Sequence, residues 1–180
     1  MAVLEFPYVR DLIDHCEFDT IYHQHLCYFS VTAVDKLFRR HGLFLNDVRR
    51  IPIHGGSLRL YVERVENVQP SVTSLIDEER QLGLTSVDYY RDFAARVEGL
   101  RQSLSALLKD LKARGKRIAG YGAPAKGCTL LNYFGIDTDV MPYTVDKNRF
   151  KQGRYMPGTH QPIFAPKRLL EDRPDYALLL

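Results

Sequence analysis

The run Y-H-Q-H at residues 22–25 sets a phenol, two imidazoles and a carboxamide side by side, in a chain with only six histidines among 180 residues. A neutral imidazole takes a proton near pH 7 and a tyrosine hydroxyl donates to a developing oxyanion, so Tyr22 and His25 suit proton removal beside a carbonyl. An extended backbone would put His23 and His25 on one face and Tyr22 and Gln24 on the other. A Tyr/His pair therefore needs the segment to bend. As metal ligands the two histidines lack a nearby third donor.

Three further groups carry chemistry. G-Y-G-A-P-A at residues 120–125 fits G-x-G-x-x-A, with Gly120, Gly122 and Ala123 at a strand-to-helix turn and Lys126 one turn into the helix. Such a loop lets backbone N–H groups and a helix N-terminus meet a diphosphate, and Asp146 stands where a ribose-binding acid would end the next strand. The same pattern also serves a tight turn that holds no ligand. Lys151 and Arg154, in the glycine-bearing loop K-Q-G-R-Y-M-P-G-T-H, are either phosphate contacts or solvated charges. His54, Ser57 and Arg59 surround H-G-G-S-L-R, which reads as a hairpin turn or as the edge of a cleft.

The elements that must position these residues follow from periodicity. An opening strand, expected to be buried, leads to a short helix beginning at Pro7. The Y-H-Q-H run is a loop. Ser30 or Thr32 caps the next helix, with Asp35 closing an imperfect capping box and Gly42 ending it. Residues 43–50 and 57–65 alternate as two antiparallel strands joined by I-P-I-H-G-G, and the polar, proline-bearing stretch after residue 67 reads as a boundary. Residues 72–114 have helical spacing. Thereafter strands at 116–121, 141–146 and 176–180 alternate with helices at 124–134 and 166–171, the pattern of a parallel sheet with right-handed crossovers.

Composition narrows the class. With 45% hydrophobic and 26% charged residues and a net charge of +3, the chain has a globular composition, and its interleaved charges make no polybasic block. Nucleic acid is not an expected partner. No apolar run is long enough to cross a bilayer, so the expected location is the cytoplasm, without membrane association. Three cysteines with no C-x-x-C pair argue against a disulfide framework and a structural zinc site. Both ends read as strands in progress, so a fragment is expected.

Taken in order, D-T-I-Y-H-Q-H-L-C-Y-F-S, H-G-G-S-L-R, G-Y-G-A-P-A-K-G and D-K-N-R-F-K-Q-G-R-Y-M-P-G-T-H-Q-P-I resemble the S-adenosylmethionine-dependent sugar C-methyltransferases acting on nucleotide-linked keto-deoxysugars. The resemblance covers essentially the whole chain. It implies an α/β protein: residues 1–66 as the end of a class I methyltransferase sheet, with a helix and an antiparallel hairpin, 67–114 as a helical linker, and 115–180 as a truncated Rossmann-like parallel sheet domain. It maps Tyr22 and His25 onto the active site, His25 being the base that leaves a sugar enolate to attack the methyl of S-adenosylmethionine.

By the same resemblance the main S-adenosylmethionine segment and the family's zinc site lie upstream of Met1. These 180 residues are then expected not to methylate alone, and the glycine loop is expected to hold a nucleotide-diphosphate sugar. Read without the resemblance, that loop suits an NAD-dependent oxidoreductase, and a non-catalytic nucleotide-sugar-binding module is the third possibility. Two positions depart from the family's pattern. Gln24 replaces a usual glutamate and cannot hold charge, and Cys128 replaces a common asparagine.

Overall fold

A computed structural model describes residues 1–180, which form two compact units: Met1–Phe18 with Leu26–Val97, and Asp19–His25 with Glu98–Leu180. The fold is α/β, with an antiparallel sheet in the first unit and a parallel sheet in the second.

The first unit contains β1 (Ala2–Pro7), α1 (Val9–Asp14), α2 (Val31–Arg40), β2 (Phe44–Ile51), β3 (Ser57–Glu63) and α3 (Pro70–Gln81). In β3 alternation with period two buries Leu58, Leu60 and Val62, which share a core with Val31 and Val34 of α2 and Val72 and Leu75 of α3. Each such aliphatic side chain contributes roughly 1.5–3 kcal/mol on burial.

The expected β2–β3 hairpin is present, but β1 pairs antiparallel with the other edge of β3, giving the order β1-β3-β2. The opening strand is thus an edge and is not buried: Val3 is 51% and Leu4 41% exposed. Pro7 ends β1 instead of starting a helix. The cause is Tyr8, whose N–H donates to the Gly56 carbonyl at 3.0 Å and prolongs the extended backbone to the N-cap of α1.

Ser30 is the cap of α2, its Oγ accepting from the Ala33 N–H at 3.1 Å. Thr32 lies inside the first turn, so Asp35 closes no capping box. The helical stretch 72–114 is two helices, α3 and α4 (Val87–Ala113), separated at Gly83, which takes φ +74°. The compositional change after residue 67 is no gap in packing, since Asn67 N–H donates to Asn46 and Val72 and Leu75 enter the core. The division between units falls at Val97 and Glu98.

The second unit contains β4 (Ile118–Tyr121), α5 (Ala125–Phe134), β5 (Thr144–Val145), β6 (Ile163–Phe164), α6 (Lys167–Asp172) and β7 (Tyr176–Leu179). The sheet is wholly parallel in the order β6-β5-β4-β7. The chain leaves β4 toward β5 on one side and returns to β7 on the other, so the crevice beyond the ends of β4 and β7 is a topological switch point. Ala119, Tyr143 and Val145, with Tyr121 and Leu169 against them, form a core of this sheet. No helix is long and apolar enough to cross a membrane.

Candidate functional site

The Y-H-Q-H run bends. After a single 3-10 turn at Phe18–Thr20, the His25 N–H donates to the Tyr22 carbonyl at 2.9 Å, closing a turn with His23 and Gln24 exposed at its corner. The rings of Tyr22 and His25 meet with centroids 4.0 Å apart. The Nδ1 atom of His25 lies 2.8 Å from the Thr20 carbonyl oxygen. A carbonyl only accepts, so Nδ1 carries the proton and a neutral ring keeps its lone pair on Nε2. One turn therefore yields a phenol beside an imidazole held in the tautomer a general base needs.

Asp19, which the sequence patterns did not single out, opens this segment. Burial pushes its carboxyl above the ordinary value, opposed by the charge of Lys126 in the first turn of α5. The signal available was an acid placed directly before the apolar and aromatic run T-I-Y. The segment Asp19–His25 belongs to the same compact unit as the glycine loop.

The two glycines of that loop are required by the fold itself. A Cβ on Gly120 would stand 2.6 Å from Thr144 Oγ1, and Gly122, at φ +96°, would put one 3.1 Å from the Leu180 carbonyl oxygen. Ala123 donates its N–H to Asp146 Oδ2 at 2.8 Å, while Asp146 Oδ1 accepts from the Asn148 N–H at 2.7 Å. Lys151 Nζ reaches both the Ala123 carbonyl, at 2.8 Å, and Asp146 Oδ2, at 3.3 Å. Asp146 and Lys151 thus lock the glycine loop to the loop that follows β5. Each Asp146 oxygen already accepts a hydrogen bond from this loop pair, so the carboxylate braces the glycine loop. Arg154 is exposed, its backbone N–H donating to the Lys151 carbonyl at 3.1 Å.

His54, Ser57 and Arg59 lie in the first unit. His54 is exposed at φ +51° in the β2–β3 turn. Ser57 is buried and donates to the Ile53 carbonyl at 3.1 Å, and Arg59 pairs at 2.9 Å with Glu5 across β1. No group of three or more His, Cys, Asp or Glu side chains is placed to hold a metal ion, and Cys16, Cys27 and Cys128 are free thiols.

The Asp146 clamp has a testable pH signature. Burial alone would raise its pKa, but the N–H groups of Asn148 and Ala123 and the Lys151 ammonium outweigh it and hold the carboxyl below its ordinary 3.8. A depressed carboxyl stabilises the fold above its unfolded value and loses that contribution as pH falls through the folded value. Asp146→Asn is expected to reduce protection of the Ala123 amide about tenfold or more at neutral pH. In the native chain this protection is expected to decline below about pH 4, and in the variant to show no such step. Amide hydrogen exchange read by NMR checks both.

A parallel sheet in Rossmann order, carrying a glycine loop and a phenol–imidazole turn in one unit, places the chain in the α/β class. Residues 52–180 match the family described as C-methyltransferase C-terminal domain. In an alignment that covers 98% of this chain, the sequence is 38% identical to C-methyltransferase NovU of Streptomyces niveus, and it spans 43% of that protein's length. The chain belongs to the C-methyltransferase family.

Proposed function

We propose that the chain supplies the proton-removing and sugar-holding part of an S-adenosylmethionine-dependent C-methylation of a nucleotide-linked keto-deoxysugar. The observation that carries this reading is the hydrogen bond from His25 Nδ1–H to the Thr20 carbonyl at 2.8 Å, which frees Nε2. His25 Nε2 takes the proton from the carbon beside the ketone, the C–H electron pair moves into the carbon–carbon bond, and the carbonyl oxygen becomes an enolate. Tyr22 O–H donates to that oxygen as its charge develops. Gln24, a neutral carboxamide, contributes a hydrogen bond and no charge.

The methyl of S-adenosylmethionine is the electrophile that the family's chemistry implies. None of the steps assigned to these residues passes through it. Gly120, Gly122 and Ala123, together with Lys126 and Arg154, form the side of the sheet where the nucleotide diphosphate is held, and Lys151 braces that loop through the Ala123 carbonyl and Asp146. Within this group Asp146 acts by fixing the loop, which its hydrogen bonds to Ala123 and Asn148 favour.

Calorimetric titration with a thymidine-diphosphate keto-deoxysugar, with S-adenosylmethionine and NAD as parallel ligands, tests the reading. The nucleotide sugar is expected to bind and NAD is not. Binding of NAD without the sugar nucleotide would replace methyl-group chemistry with an oxidoreductase role.

A further inference from the structure

The loop after β5 reads K-N-R-F-K-Q-G-R-Y at residues 147–155, with four cations and no acid. Its backbone is tightly tied. Asn148 Oδ1 accepts from the Phe150 N–H at 3.0 Å, and the Asn148 carbonyl accepts from the Lys151 N–H at 3.0 Å. Gln152 Nε2 donates to the Asp146 carbonyl at 2.9 Å, and the Ile163 N–H to the Arg154 carbonyl at 2.8 Å.

On this braced loop the Phe150 side chain is left 84% exposed, and Lys147, Arg149 and Arg154 are exposed without a salt bridge. Lys151, by contrast, is spent on Asp146 and Ala123. A phenyl ring held in water on an ordered backbone, in a loop that also carries unpaired guanidinium groups, is matched by a planar aromatic group carrying negative charge. The loop also leaves the carboxyl end of a parallel strand, where ligands of such sheets bind. One ring and two guanidinium groups correspond in number and kind to one base and one diphosphate; a polynucleotide would need a longer track of both.

We infer that Phe150 is the stacking surface for the base of a nucleoside diphosphate, and that Arg149 and Arg154 meet its phosphates. The inference rests on the nucleotide-linked reading above and adds the residues that recognise the base. Base and phosphate recognition are then separable, since removing the ring leaves the cations in place.

In the test, thymidine diphosphate and inorganic pyrophosphate are titrated calorimetrically into the native chain, Phe150→Ala, Phe150→Trp and Arg149→Gln. Phe150→Ala is expected to weaken thymidine diphosphate about tenfold and to leave pyrophosphate unchanged. Phe150→Trp is expected to retain native affinity, and Arg149→Gln to weaken both ligands. Because Phe150 is so exposed, the melting temperature of Phe150→Ala is expected to match that of the native chain.

Native affinity of Phe150→Ala for thymidine diphosphate would overturn the stacking role while leaving the nucleotide-linked reading intact. Equal affinity of the native chain for pyrophosphate and thymidine diphosphate would reduce the loop to an anion site and also overturn it. Failure of the native chain to bind either thymidine diphosphate or a thymidine-diphosphate sugar would sink the nucleotide-linked reading itself.

Discussion

Replacement of Glu79 by alanine is expected to destabilise the first unit by about 3 kcal/mol or more. Glu79 is fully buried in α3, and one of its oxygens accepts from the Tyr8 hydroxyl at 2.8 Å and the Val31 N–H at 2.6 Å. The other accepts from the Thr32 N–H at 2.8 Å. The first turn of α2 has no acid of its own, so this carboxylate, 48 residues away from Val31 in sequence, supplies both the acceptors and the negative charge that a helix N-terminus favours. Burial first, and the neighbouring carboxylate second, push the Tyr8 hydroxyl above its ordinary pKa, so it remains a donor.

Alanine would leave a phenol and two amides without partners inside the core, each at a cost of roughly 1–3 kcal/mol. A fall in melting temperature of roughly 10 °C is expected for a chain of this size. Glutamine keeps the shape but turns an NH2 group toward an N–H donor, so Glu79→Gln should fall between the two. Thermal denaturation followed by circular dichroism measures this; a change below about 1 kcal/mol would show that Glu79 does not cap α2.

The α/β class and its two sheets were legible because β3 and the helices repeat their apolar residues over several turns, and the parallel sheet because strand and helix alternate after residue 115. What failed was long-range. The pairing of β1 with β3 depends on hydrogen bonds between residues 50 or more apart in sequence, which no local period encodes. Strand β6 has two residues, too few to make a pattern. Glu79 sits in D-E-E-R, where an isolated reading sees only a solvated charged face, because its partners come from other elements.

In the site, the residue types of Y-H-Q-H were informative, but their geometry was not. An alternating backbone separates Tyr22 from His25, and only the turn bond from His25 N–H to Tyr22 brings the rings together. The glycine loop shows the opposite difficulty. Its spacing suggests a dinucleotide, whereas Gly120 and Gly122 are already demanded by close approach to Thr144 and Leu180, and the acid at the end of β5 is turned inward.

His25→Asn is expected to lower the rate of proton removal from the sugar by about 10²–10⁴-fold, the range of a positioned general base. Asparagine can still donate to the Thr20 carbonyl but has no basic nitrogen, so the turn is kept while the chemistry is lost. His25 is exposed and belongs to none of the buried cores, and the variant is expected to melt as the native chain does. Binding of the sugar nucleotide should change little, because the base acts on the carbon beside the ketone and not on the diphosphate.

The most direct measurement is deuterium incorporation from D2O into a thymidine-diphosphate keto-deoxysugar, followed by proton NMR with no methyl donor present. Loss of the proton signal beside the ketone is expected with the native chain, and exchange slowed by at least about a hundredfold with His25→Asn. Exchange at the native rate in that variant, or none with the native chain while it binds the sugar nucleotide, would contradict the assignment of His25 Nε2 as the base.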